Sequence, residues 1–142
     1  MNNNKFLVNL RLISRQDYRF LYQLLKERKP EVNISHKKMP TYLEHVKFVK
    51  SNPYSRWYVI EYNGNKVGSA YLSKQNEIGI FIKKKWQRSH IGSFALDLLI
   101  KKNPRPRYLA NINPKNTKSI RFFKRNGFKL IQHTYELNYS VK

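Results

Sequence analysis

The chain has 142 residues and a mass of 17.1 kDa, 40% hydrophobic and 14% aromatic with 5 Gly and 6 Pro, which leaves room for one packed domain over residues 1–142 and excludes disordered and fibrous classes. It contains no cysteine, which removes disulfide scaffolds, thiolate zinc sites and cysteine nucleophiles, and no stretch nears the ~18 uncharged apolar residues of a membrane helix, so a cytoplasmic location is expected. Against 8 Asp and Glu stand 29 Lys and Arg, a formal charge of +21 that favours phosphate-bearing partners and repels cationic ones.

In chain order, KFLVNLRLI (residues 5–13) is rich in branched apolar residues and predicts a strand. Ser14 and Asp17 have the capping spacing that opens a helix, whose apolar face runs through Tyr18, Leu21, Leu24 and Leu25 to about Arg28. Pro30 and Pro40 bracket a polar loop, and Thr41 caps a second helix carrying Leu43, Val46, Phe48 and Val49. RWYVIEY and KVGSAYLS around Asn63-Gly64-Asn65 give a hairpin, followed by a third run, EIGIFIKK, from Glu77. Residues 83–90 are polar and basic. A helix follows from Ile91, closed by Pro104 and Pro106. RYLANI (107–112) predicts a short strand, NPKNTKSIRFFKRNGF (113–128) holds a helix with Asn116 near its start and Gly127 just past its end, and residues 128–139 form a closing strand. The order β-α-α-β-β-β-α-β-α-β argues for an α/β (mixed α+β) fold, a mixed sheet of about six strands flanked by about four helices.

The strand-loop-helix at 77–102 carries the chemistry. A donor-rich loop ahead of a helix N-terminus offers unpaired backbone N–H groups and the positive end of the helix dipole, a seat for a phosphate or pyrophosphate, and Lys83, Lys84, Lys85 and Arg88 add to that field. Gln87-Arg88-Ser89-His90-Ile91-Gly92 resembles the pyrophosphate-binding loop Q/R-x-x-G-x-G/A of the GNAT acyltransferase superfamily. Residues 116–128, with Asn116, Ser119, Gly127 and Phe128 in register, are similar to that family's N-x-x-S-x-x-x-Y-x-x-x-G-F segment. Leu10-Arg11 followed by Asp17 resembles its opening strand and first helix, so the likeness spans nearly the whole chain.

The resemblance implies an N-acetyltransferase that moves an acetyl group from acetyl-CoA directly to a primary amine, with no metal. It places the cofactor against Phe81, Ile82, Lys83, Gln87, Arg88, Ser89, His90, Ile91, Gly92, Ser93, Asn116, Ser119 and Phe123, and makes Glu77 the candidate general base. His45 and His133 are alternative bases. The sequence departs from the family at two positions. His90 stands where the first loop glycine usually allows positive φ. Phe123 replaces a tyrosine that protonates the leaving thiolate, a task left to water, Tyr71 or Tyr135. By the same resemblance the acceptor site would involve residues 33–39, with His36 among them, and Tyr54, Arg56 and Trp57. Aromatic and basic residues together suit an amine on an anionic carrier, such as a nucleotide-linked amino sugar. Two other readings stay open, a basic RNA-binding module and a catalytically degenerate CoA-binding protein, and on any reading the chain is expected to be a monomer or a homodimer.

Overall fold

A computed structural model describes residues 7–28, 38–87 and 89–139. Four strands, β1 (Val8–Leu12), β2 (Arg56–Tyr62), β3 (Asn65–Leu72) and β4 (Ile78–Ile82), form an antiparallel sheet in the order β1-β2-β3-β4. The helices are α1 (Tyr18–Lys26), α2 (Tyr42–Lys50), α3 (Ile91–Lys102) and α4 (Thr117–Arg125).

Alternation along the strands divides the sheet into two faces. Tyr58, Ile60, Val67, Ala70, Leu72 and Ile78 point to the face covered by α3, where Ile91, Ala95, Leu96 and Leu99 close the main core. Phe123 joins that core from α4. On the opposite face α1 and α2 pack together, burying Leu21, Leu24 and Val49, and Phe48 and Trp57 meet edge to face at 6.1 Å. Val59 is fully buried.

The helix starts follow the sequence signals. Thr41 accepts from the Glu44 N–H (3.1 Å) while the Glu44 carboxylate accepts from the Thr41 N–H (2.7 Å), closing a capping box. Asn116 accepts from the Ser119 N–H at the start of α4. Ser14 precedes a single 3-10 turn at 15–17, and α1 begins one turn later than the capping signal implies.

Two expected strands do not form, so among the described residues the sheet has four strands and not six. Residues 107–112 contribute one parallel bridge, Glu77 to Leu109, with hydrogen bonds Ile78 N–H to Leu109 O and Leu109 N–H to Asn76 O, both 2.8 Å. Beyond it the two segments diverge. Residues 129–139 are exposed and pair with no strand among the described residues, for all their period-2 pattern. Alternation sets which side chains share a face, but a strand also needs a partner edge.

Candidate active site

The divergence beside β4 is the centre of the site. Lys83 N–H bonds to Val67 O and Ser73 N–H to Glu77 O, both 2.8 Å, so the hydrogen-bonded pairs of the β3/β4 ladder fall at odd-numbered residues of β4. The backbone N–H and C=O of Ile78, Ile80 and Ile82 therefore point away from β3. Ile78 spends its N–H on Leu109, and the Ile82 carbonyl accepts from Gln87 Nε2 at 2.9 Å. Among the described residues the Ile80 backbone and the Ile82 N–H have no backbone partner, and residues 110–112 make no bridge to β4, so we treat this edge of β4 as a wedge between the two segments. Phe81, an expected thioester neighbour, directs its backbone to Ser69 on β3 and its ring to the face of α1 and α2.

The wedge opens onto the basic loop and α3. Lys84–Trp86 make a 3-10 turn, Ser89 Oγ donates to Trp86 O (2.6 Å), and Gln87 ties the loop back to β4. His90 takes φ 65°, ψ 6°, the left-handed conformation for which glycine is the usual choice, and makes no side-chain cap bond. The first-turn N–H groups of α3, including those of Ile91, Gly92 and Ser93, have no intrahelical acceptor and sit at the positive helix end. The Ile91 side chain is core. Arg88 lies outside the described residues, as do Asn33 and His36.

Helix α4 docks on this N-terminus by close approach. A Cβ on Gly92 would sit 3.0 Å from the Phe122 ring, so the glycine lets α4 reach α3. Asn126 Nδ2 spans the same junction to Ser93 Oγ (3.3 Å) and Phe122 O (2.8 Å). Asn116 and Ser119 are half-buried near the start of α4, whereas the Phe123 ring is buried between Phe122 and Phe128 and belongs to the core, not to a helix surface.

Glu77 stands at the apex of the wedge. Its Oε1 accepts from Ser73 Oγ (3.1 Å) and its Oε2 from Asn111 Nδ2 (2.7 Å), so the carboxylate also joins β4 to the diverging segment. Glu77, Gly79 and Phe81 share the face of α1 and α2. Gly79 is required there because the Tyr71 ring occupies the space its Cβ would take. Tyr71 stacks on Tyr54 with centroids 3.8 Å apart and planes within 4°, and Trp57 meets Tyr54 edge to face at 4.8 Å. Trp57 Nε1 donates to Ser69 Oγ (2.8 Å). The Arg28 guanidinium lies 4.0 Å over the Phe81 ring. Burial pushes the Tyr54 and Tyr71 phenols up, keeping both protonated, and lowers the Arg28 pKa.

Of the expected acceptor residues, Tyr54 and Trp57 join this aromatic cluster, Arg56 is exposed, and Lys38 and Met39 are exposed at the edge of the described chain. His45 is buried on α2, 5.6 Å from the Tyr22 ring. His133 and Tyr135 lie on the exposed C-terminal segment. Arg28, Ser73 and Asn111 escape sequence reasoning, because a helix end and two loop positions acquire meaning only once the β3/β4 register brings them to Glu77 and Phe81. Among the described residues no three His, Asp or Glu cluster as metal ligands, and no helix is long and apolar enough to cross a membrane.

Residues 18–128 match the sequence model of the acetyltransferase (GNAT) family. No curated protein matches the chain. Among solved structures, a domain from Methanocaldococcus jannaschii superposes with TM-score 0.78 at 26% identity, covering 91% of this chain and 92% of that one. A spermidine N-acetyltransferase from Vibrio cholerae, in complex with CoA and spermine, gives 0.76 at 17% identity over 94% and 89%. RimL, a ribosomal L7/L12 alpha-N-protein acetyltransferase in complex with CoA, gives 0.73 at 19% over 92% and 85%. Likeness at the two lower identities speaks to the fold.

Proposed function

Because the chain belongs to the acetyltransferase (GNAT) family, we propose that it is an acetyl-CoA-dependent N-acetyltransferase whose acceptor is a primary amine on an anionic carrier, such as a nucleotide-linked amino sugar. The observation that carries this reading is the wedge beside β4. Its free backbone groups at Ile80 and Ile82 suit an extended amide-bearing arm, and it leads to the uncapped N-terminus of α3, which suits a pyrophosphate. CoA has both parts, and when bound it supplies the activated acetyl thioester.

The chain's own residues divide the work. The N–H groups of Ile80 and Ile82 are preorganised donors toward a carbonyl in the wedge, a kind of contact worth ~3–4 kcal/mol in a transition state. Gln87, Ser89, His90, Gly92 and Ser93 form the anion seat with Lys83, while Asn116 and Ser119 border it; Arg88 adds positive charge to the same loop sequence. Glu77 takes the proton of the attacking amine, directly or through water. Tyr71, whose ring packs against Gly79 of β4, lies nearer the proposed reacting centre than the exposed Tyr135 and is the candidate to protonate the leaving thiolate. Arg28 beside Phe81, with Tyr54 and Trp57, favours an acceptor with a flat ring and negative charge over a polyamine.

Calorimetry at moderate salt tests this, with ATP as a control for generic attraction of phosphate to a +21 protein. Micromolar acetyl-CoA binding without comparable ATP binding is expected. With an amine substrate in hand, Glu77→Gln is expected to keep that binding and lower kcat by ~10²-fold or more near neutral pH. Equal binding of ATP and acetyl-CoA would overturn the cofactor assignment, and unchanged kcat would remove Glu77 from the chemistry.

A further inference from the structure

From Leu98 to Tyr139 the chain contains ten Lys and Arg and a single acidic residue, Glu136. Within that stretch Lys115, Lys118, Arg121, Lys124, Arg125 and Lys129 are all exposed, and none forms an ion pair among the described residues. Phe122 and Phe123 turn the apolar side of α4 into the molecule, so Lys118, Arg121 and Arg125, spaced i, i+3 and i+7, form one outward stripe. Directly after it, the extended segment leaves Tyr135 89% and Tyr139 82% exposed. By alternation they share a face with His133, whose ring lies 6.2 Å from Tyr135 with planes within 17°.

We propose that α4 and residues 129–139 form a binding surface for single-stranded nucleic acid, the α4 stripe holding phosphates and the tyrosine rings stacking on unpaired bases. Phosphate attraction explains the cations but not the rings, and a basic track beside exposed aromatic faces is the arrangement that follows a flexible strand without reading its sequence. A duplex hides its base faces from such rings. α4 gives a membrane no apolar side, having committed its own to the core, whereas the neighbouring segment exposes Leu130, Ile131 and Leu137, so the vesicle arm of the test separates a bilayer from a nucleic acid. The surface stands apart from the acetyl-transfer reading, since none of the six cations belongs to the wedge or to the anion seat of α3.

The test is fluorescence anisotropy with a labelled 20-nucleotide oligo(U) on the full chain between 50 and 300 mM KCl. Affinity is expected to fall with salt at a log-log slope of about −0.7 per phosphate contacted. Lys118→Ala/Arg121→Ala/Arg125→Ala is expected to weaken binding at least tenfold and flatten the slope by about 2. Tyr135→Ala/Tyr139→Ala is expected to weaken it about tenfold with the slope unchanged. Thermal melts of both variants check that they remain folded. Saturating acetyl-CoA is expected to leave oligo(U) affinity unaltered. The proposal is overturned if acetyl-CoA displaces the oligonucleotide, if either folded variant binds like the parent, if a duplex of equal length binds as tightly, or if phosphatidylserine vesicles capture the protein while oligo(U) does not.

Discussion

Asp17 has 0% side-chain exposure and yet is held as a carboxylate. Burial pushes its pKa up, but hydrogen bonds from Arg11 (two at 3.0 Å), Lys66 (2.7 Å) and the Ser14 N–H (2.8 Å) outweigh that and hold it well below the usual carboxylate range. Arg11 continues to Glu61 at 3.0 Å, so one network joins β1, the 3-10 turn, β2 and β3. Asp17→Asn is expected to lose ~2–3 kcal/mol, the scale of a hydrogen bond to a charged group, in urea unfolding at pH 7. Because the folded pKa is depressed, this stability is fully present above the unfolded value near ~4 and disappears as pH falls through the folded one, so the gap between variant and parent is expected to narrow at pH 3. An equal gap at both pH values would deny Asp17 its charge. His90 was legible at the same scale: the glycine position it occupies in the loop pattern does require positive φ, and the chain meets it with a non-glycine residue at φ 65°. The union of Arg28, Phe81 and Tyr71 was not legible, since it depends on a cross-strand register and a helix end some fifty residues away.

Most elements could be read from periodicity because each has a local cause. The Asn63-Gly64 pair takes positive φ at both positions, 48° and 83°, the backbone of a tight hairpin turn, and fixes β2 against β3. α4 ends in a Schellman pair, Phe128 N–H to Phe123 O (3.0 Å) and Gly127 N–H to Lys124 O (3.1 Å). Residues 107–112 and 128–139 have strand composition too, but pairing is a non-local property that composition does not carry. The α3/α4 junction was half legible. The loop pattern singles out Gly92, and the structure adds that the missing Cβ admits Phe122 as well as leaving backbone open to a ligand. Gly92→Val is therefore expected to abolish acetyl-CoA binding and also to cost ~1–3 kcal/mol of stability, as overpacking does. Calorimetry and a thermal melt on the same sample check both: retained binding in a folded variant would contradict the binding role of Gly92, and an unchanged Tm its role in seating α4.

At the scale of the whole molecule, net charge was read directly, whereas its arrangement was not. Asp17 and Glu61 pair at the β1 edge, while residues 78–142 carry only two acidic residues, Asp97 and Glu136. Such self-repulsion destabilises a compact state and is screened by salt. Raising NaCl from 0.01 to 0.1 M shortens the screening length from about 30 to about 10 Å and is expected to raise Tm by roughly 3–5 °C, about 1 kcal/mol for a domain of this size. A Tm that falls with salt would place the dominant electrostatics in favourable surface pairs instead.

An unpaired strand edge invites another chain to zip onto it, the first step toward aggregation. β4 carries such an edge on its Ile80–Ile82 side, but the Leu109 bridge pins one end of it, and Lys83, Lys84 and Lys85 stand at the other. A neighbouring polypeptide of the same +21 charge would have to enter past those lysines and would find only two residues of edge to pair with. The gap proposed to take the slender arm of CoA is thus too short and too cationic for a second strand, and the unfinished sheet escapes the hazard that an open edge brings.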